Sequence, residues 1–145
     1  MSLQESLMPV RILIADDHDV VREGVRAILQ KRADWEIVGE AANGQDAVLQ
    51  IETLKPDVVI LDITMPKMSG LDVARKVVHN TPNSRVLMFT MHDSETVEHA
   101  VKKSGAHGLV LKLHAARDLV KAVDALVEGG TFFSQESVVS ERTIS

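Results

Sequence analysis

Asp16-Asp17, Asp62, Thr90 and Lys112 are far apart in the chain, yet each stands directly after a short apolar run. Carboxylates, a hydroxyl and an ammonium are the groups that handle a phosphoryl group. Carboxylates brought within ~4 Å of one another repel by roughly 4 kcal/mol per pair at an effective dielectric of ~20, so such a cluster requires protons or a cation. Hard oxygen donors with no His-x-x-x-His pair or thiolate nearby favour Mg2+, which takes a few carboxylates and keeps waters that a phosphate can displace. With the charge neutralised, a carboxylate can attack phosphorus and leave an aspartyl-phosphate. Thr90 would then donate a hydrogen bond to one phosphoryl oxygen and Lys112 would pair with another. Spacing alone does not decide which aspartate attacks. Singly, each residue has a blander reading: a strand-end Asp is usually a turn former, Thr90 an ordinary hydroxyl, Lys112 a solvated charge. Together they resist that reading, because several strand ends would have to deliver phosphate-compatible groups by coincidence.

The elements that would gather these residues follow from hydrophobic patterning. Strand candidates lie at 10–15, 35–40, 58–61, 85–89 and 108–111, short and mostly continuously apolar, as suits strands covered on both faces. Between the first two, Val21, Gly24, Val25, Ile28 and Leu29 fall on one helical stripe, and Ala116, Leu119, Val120, Val123 and Leu126 repeat it near the end. Weaker stripes run through Ala47 and Ile51, Leu71 and Ala74, and Val97 and Val101. Asn43-Gly44, Lys55-Pro56, Thr81-Pro82, Gly105 and Gly129-Gly130 punctuate the pattern. Alternating strands and helices at this spacing force parallel pairing through right-handed crossovers. The expected fold is α/β: a doubly wound (βα)5 three-layer sandwich with a flavodoxin-like sheet order 2-1-3-4-5. Its ligand crevice lies at the carboxyl ends of strands 1 and 3, where Asp16, Asp17 and Asp62 would meet.

The chain has 145 residues, 45% of them hydrophobic, which suits one domain with a substantial core. Sixteen Lys and Arg against 21 Asp and Glu give a formal charge of −5 without a strong basic run, so this segment is not expected to bind nucleic acid. The absence of cysteine excludes disulfides, thiolate chemistry and Cys-type zinc sites. No apolar run approaches the ~18 residues that cross a bilayer, and the amino end does not read as a signal peptide, so a cytoplasmic domain away from membranes is expected. Residues 1–9 read as leader or disordered, 10–130 as the domain, and the Ser- and Glu-rich 131–145 as a linker fragment.

Over residues 10–130 the chain resembles the receiver (phosphoacceptor) domain of bacterial two-component response regulators. The likeness rests on Ile12-Leu13-Ile14-Ala15-Asp16-Asp17-His18, on Asp62-Ile63-Thr64-Met65-Pro66-Lys67-Met68-Ser69-Gly70, on Thr90, and on Gly105-Ala106-His107-Gly108 leading to Lys112. Arg22-Glu23-Gly24 and Gly129-Gly130 resemble the subfamily with a LuxR-type (NarL/FixJ-like) output. The resemblance implies that Asp62 is the phosphoacceptor, loaded by a sensor histidine kinase. It implies Mg2+ held by Asp16, Asp17, Asp62 and the backbone carbonyl of Thr64, with Asp17 binding directly and Asp16 partly through water. Thr90 and Lys112 would bind the phosphoryl oxygens, and Pro66 and Gly70 would shape the loop after the acceptor. It further implies a domain that catalyses only its own phosphorylation and dephosphorylation, and a homodimer when phosphorylated. DNA would be reached only through an output domain absent from this chain.

The expected output surface is the fourth helix, fifth strand and fifth helix, with Glu95, Glu98, His99, Lys102 and Lys103 exposed. Met91 and His92 should rim the pocket, and none of the six histidines is assigned as a metal ligand. Two positions depart from the family pattern: Leu109 replaces the aromatic residue that changes rotamer on phosphorylation, and Leu113 replaces a common proline. A haloacid-dehalogenase-type phosphatase is the competing enzyme reading, weakened because Thr64 lacks the second carboxyl of its Asp-x-Asp motif. A binding module that keeps the fold without being phosphorylated would leave the whole set of site residues unexplained. Nucleotide binding lacks a glycine-rich phosphate loop after strand 1.

Overall fold

Along the first strand, β1 (Val10–Ala15), side chains alternate between two cores: Ile12 and Ile14 enter one, Leu13 and Ala15 the other. A strand that is apolar on both faces must be covered on both. In the computed structural model, which describes residues 8–92 and 94–133, the covering is divided between two sets of helices. Helices α1 (Asp19–Leu29) and α5 (Ala115–Val127) pack on one face through Val25, Leu29, Leu119, Val123 and Leu126. Helices α2 (Gly44–Leu54), α3 (Gly70–Asn80) and α4 (Glu95–Lys103) pack on the other through Ala47, Ile51, Val73, Val77 and Val101.

The remaining strands are β2 (Trp35–Ala41), β3 (Val58–Leu61), β4 (Arg85–Thr90), β5 (Gly108–Leu111) and β6 (Phe132–Phe133). All pairs are parallel, in the order β2-β1-β3-β4-β5-β6. This is the expected flavodoxin-like (βα)5 sandwich, extended by one strand. The addition comes from the stretch read as linker: Phe132 packs toward the α1–α5 core and Phe133 toward the α2–α4 core. Tandem aromatics facing opposite ways are what a strand between two apolar layers needs, and a pattern only two residues long is too short to stand out in sequence. Residues 1–7 of the leader and 134–145 of the linker lie outside the described residues.

Polar side chains start three helices, the first of them at the Asn43-Gly44 punctuation of the sequence. Asn43 accepts the Asp46 amide, Ser69 that of Asp72 and Ser94 that of Val97, each such cap contributing about 1 kcal/mol. Strands β2 and β4 each run one residue beyond the sequence expectation, to Ala41 and Thr90. The extra residue of β2 has a use: the Asp16 amide donates to the Ala41 carbonyl at 3.0 Å, while the Asp62 amide donates to the Ala15 carbonyl at 2.9 Å. Sheet hydrogen bonding therefore continues through the two aspartates and fixes their height.

At the opposite end of the sheet, His107 Nδ1 accepts the Val86 amide at 2.9 Å, its own amide donates to the Val86 carbonyl at 2.8 Å, and its carbonyl accepts the Phe132 amide at 3.0 Å. Accepting at Nδ1 requires a ring unprotonated there. Burial, and secondarily the charge of Arg85, holds the imidazole below its ordinary pKa. The unfolded chain takes up this proton at ordinary histidine pH, near 6.5, whereas the native ring resists it, so native stability falls as pH drops below that value. We expect denaturant unfolding between about pH 7 and pH 5 to show a smaller loss of stability in His107→Gln than in the wild type. Equal pH slopes in the two proteins would contradict the assignment.

Candidate functional site

Asp16 directly follows β1, Asp62 directly follows β3, and Lys112 follows β5 as the first residue of a short 3-10 turn, Lys112–His114. The crossovers bring all of them to one end of the sheet. Lys112 Nζ lies 2.7 Å from Asp16 Oδ2 and 3.4 Å from Asp62 Oδ2, and 5.9 Å from the centre of the Phe89 ring. Asp16 and Asp62 are buried, whereas Asp17 is exposed at the mouth. Oxygens of Asp16, Asp17 and Asp62 and a ring nitrogen of His18 all lie within 4.8 Å of one another.

One ammonium cannot neutralise this many carboxylates. Burial, and then the neighbouring charge of Asp16, raises the pKa of Asp62, opposed by Lys112 and by a hydrogen bond from the Thr64 amide. Asp16 Oδ2 is buried, and its approach to Lys112 is an ion pair without the alignment of a hydrogen bond, so no directed donor serves it. A cluster of hard oxygens with residual negative charge and an underserved buried oxygen fits a divalent cation such as Mg2+.

The segment after Asp62 is tied down at several points. The Gly70 amide donates to the Ile63 carbonyl at 2.7 Å, and the amides of Gly44 and Met68 donate to the Pro66 carbonyl at 3.1 and 2.8 Å. Lys67 adopts a left-handed φ of 71° to make the turn. Gly70 is required by proximity: a Cβ there would sit 2.0 Å from the Asp62 carbonyl oxygen. On the other side, Arg22 donates to the Asp16 carbonyl at 2.5 Å and pairs with Asp19 and Glu40, bracing the β1–α1 turn. Sequence reading noted Arg22 only for its subfamily likeness. Its bracing role depends on Glu40, which sequence distance concealed.

Thr90 ends β4 level with Leu111, one residue before Lys112, and is buried. Its hydroxyl accepts the His92 amide at 3.2 Å and makes no hydrogen bond to Asp62 or Lys112. Thr64 is exposed and faces Asp62 through its amide. Met91 and His92 are exposed beyond Thr90, as is Leu113 beyond Lys112 at 87%. Leu109 is buried in the α2–α4 core, and the Lys112–Leu113 bond is trans. His18, assigned no ligand role from sequence, places Nδ1 3.1 Å from Asp16 Oδ1 and 3.2 Å from Asp17 Oδ1.

The family model for the response regulator receiver domain matches residues 12–124. The chain belongs to this family. It is similar to the transcriptional regulatory protein DegU of Brevibacillus brevis, 36% identical over 132 residues, which cover 91% of this chain and 56% of that protein. It is also similar to the response regulator protein VraR of Staphylococcus saprophyticus, 31% identical over 135 residues, which cover 93% of this chain and 65% of that protein. The receiver thus spans between 56% and 65% of the length of these relatives. Among solved structures, it resembles a LuxR-family two-component response regulator from Aurantimonas sp. SI85-9A1, with a TM-score of 0.86 and 30% identity, covering 94% of this chain and 99% of that one. It also resembles the signal receiver domain of NarL from Mycobacterium tuberculosis, with a TM-score of 0.80 and 36% identity over 84% of this chain and 98% of that one. The LuxR-type likeness of Arg22-Glu23-Gly24 and Gly129-Gly130 agrees with these relatives.

The receiver's electrostatics give two stability tests. A raised carboxyl pKa means that the ionised form of Asp62 opposes folding at neutral pH, the opposition fading as pH falls and the group protonates. Asp62→Asn should therefore stabilise the metal-free protein at neutral pH, by about 0.5–2 kcal/mol in denaturant unfolding, with the gain shrinking in acid. Gly70→Ala should destabilise by about 2 kcal/mol or more, because the added methyl meets backbone rather than a movable side chain.

Proposed function

We propose that this receiver accepts a phosphoryl group on Asp62 from the phosphohistidine of a sensor histidine kinase, with Mg2+ as cofactor, and thereby switches a surface that controls a downstream output. The observation that carries the reading is the state of Asp62. It is a carboxylate only 6% exposed, made more basic by burial and by Asp16, with a single ammonium 3.4 Å away. A more basic carboxylate is a better nucleophile. Asp16 is the poorer candidate because its Oδ1 already accepts the His18 amide at 2.9 Å and its Oδ2 holds Lys112.

In the transfer, an Asp62 oxygen forms a bond to phosphorus while the phosphorus–nitrogen bond to the donor imidazole breaks and the electron pair returns to the ring. Asp16, Asp17 and Asp62, with the backbone carbonyl of Thr64, would hold Mg2+. When bound, the ion offsets negative charge on the carboxylates and on the transferring group. Lys112 is placed to pair with one phosphoryl oxygen. Thr90 already accepts at its hydroxyl from His92, which leaves its proton available for another. Phosphorylation puts a group of about −1.5 to −2 charge where the carboxylate carried −1. Drawing Thr90 and Lys112 toward it would move the β4–α4 and β5–α5 connections, and with them the α4–β5–α5 surface. Leu109, buried where many receivers have an aromatic, makes that response one of repacking rather than ring rotation.

The domain would act as a self-modifying switch rather than an enzyme on external substrates. The name of one relative, a transcriptional regulatory protein, supports transcription control, which would run through a DNA-binding output; a cytoplasmic location and dimerisation on phosphorylation complete the proposal. Among the described residues no helix is long and apolar enough to cross a membrane.

Incubation with an acyl phosphate and Mg2+, followed by intact mass measurement, tests the reading. We expect a gain of one phosphoryl group, none in Asp62→Asn or after chelation, and labelling of Thr90→Ala or Lys112→Ala slowed about a hundredfold. Undiminished labelling of Asp62→Asn, or continuous hydrolysis of the donor without a labelled protein, would overturn it.

A further inference from the structure

We propose that β6 is a releasable latch on the edge of β5: it is docked while Lys112 pairs with Asp16 and the His92 amide engages Thr90, and phosphorylation of Asp62 detaches it, uncovering that edge at Gly108 and Leu109. The proposal deepens the phosphoacceptor reading of the site and rests on it.

The seat of β6 is shaped for it. The Phe132 amide donates to the His107 carbonyl at 3.0 Å, and a Cβ on Gly108 would lie 2.8 Å from the Phe132 carbonyl oxygen, so the missing side chain is what lets the two backbones come this close. Just before the strand, Arg85 Nη2 donates to the carbonyls of Gly129 and Gly130 at 3.1 and 2.6 Å, which fixes where the chain turns toward β5. Lys102 of α4 then covers the end of the strand, its Nζ 5.1 Å from the centre of the Phe133 ring.

Fitted as it is, the strand is lightly held. It is two residues long with both rings only half-buried, whereas every residue of β3 and β5 is buried. Opening a short outer strand of this kind costs far less than opening the centre of the sheet. The chain enters it through Gly129-Gly130, and Gly129, with φ 88° and open space around it, is a pivot that glycine adopts without strain.

Its position couples it to the site. Phe133 pairs with Leu109 on β5 and lies under Lys102 on α4, so one ring is supported by both elements whose connections Lys112 and Thr90 would pull. β5 ends at Leu111, directly before Lys112, and β4 ends at Thr90, on the path to α4. Close-packed strands pass a shift along rather than absorb it, and a shift of β5 against α4 separates the two supports of Phe133. Such coupling is reciprocal: if phosphorylation disfavours the docked strand, loss of the strand favours the phosphorylated arrangement by the same factor.

The phosphomimetic beryllofluoride, captured reversibly by a carboxylate in the presence of Mg2+, lets both directions of the coupling be read at equilibrium on the full 145-residue chain. We expect the Phe132 amide, followed by magnetic resonance, to exchange with solvent about tenfold faster when the protein is saturated with beryllofluoride, while the amides of β3 stay protected. Phe133→Ala, which touches no group of the site, should bind beryllofluoride about tenfold more tightly than the wild type, with circular dichroism confirming the fold. A Phe132 amide that exchanges freely from the outset, exchange unchanged or slowed by bound beryllofluoride, or unchanged or weaker binding in Phe133→Ala would each overturn the latch and leave the phosphoacceptor reading standing. Failure of the wild type both to bind beryllofluoride and to take a phosphoryl group from an acyl phosphate would instead overturn that reading, and the latch with it.

Discussion

Lys112 holds two buried carboxylates at once, closely to Asp16 and more loosely to Asp62. The rest of the site follows from this uneven bridge. Acidic groups removed from water repel each other and resist ionising, and one ammonium relieves only part of that cost. The unequal distances divide the roles: Asp16 is anchored by the lysine and by the start of α1, while Asp62 keeps a more basic oxygen. The site is thus under electrostatic tension that a divalent cation or a phosphoryl group can change, and the fold supplies the rigidity that prevents the acids from moving apart.

That rigidity has a local source. Asp16 and Asp62 are not on free loops, since their amides continue the hydrogen bonding of β1 with β2 and of β3 with β1. The loop after Asp62 is fixed against the start of α2 and closed by Gly70, and Arg22 braces the facing turn. Groups that must stay in place while charge is added are therefore held mainly by main-chain bonds, which do not depend on protonation.

Much of this arrangement is legible in the sequence because two periodicities, apolar strands and striped helices, fix the topology, and the topology fixes which strand ends meet. Asp16, Asp62 and Lys112 follow from that logic alone. Thr90 was legible as a strand-end residue, but its engagement by the His92 amide was not, since it depends on how the chain turns after β4. His18 was discounted because composition shows scattered histidines, and only the turn geometry at the start of α1 directs its ring over the carboxylates. The link between Arg22 and Glu40 joins separate elements, and β6 consists of two residues without periodicity. Each of these depends on tertiary placement rather than on local pattern.

The short β6 also changes the outer margin of the sheet. Without it, β5 would present an unpaired row of amides and carbonyls along a flat, fully apolar strand, the type of template on which another chain can add and start aggregation. Among the described residues, Phe132 and Phe133 pair with Gly108 and Leu109 and so occupy the first half of that template from within the same molecule. Solubility of the domain therefore depends in part on keeping this tail attached, so a truncation ending at α5 would keep the reactive groups yet leave a sticky border.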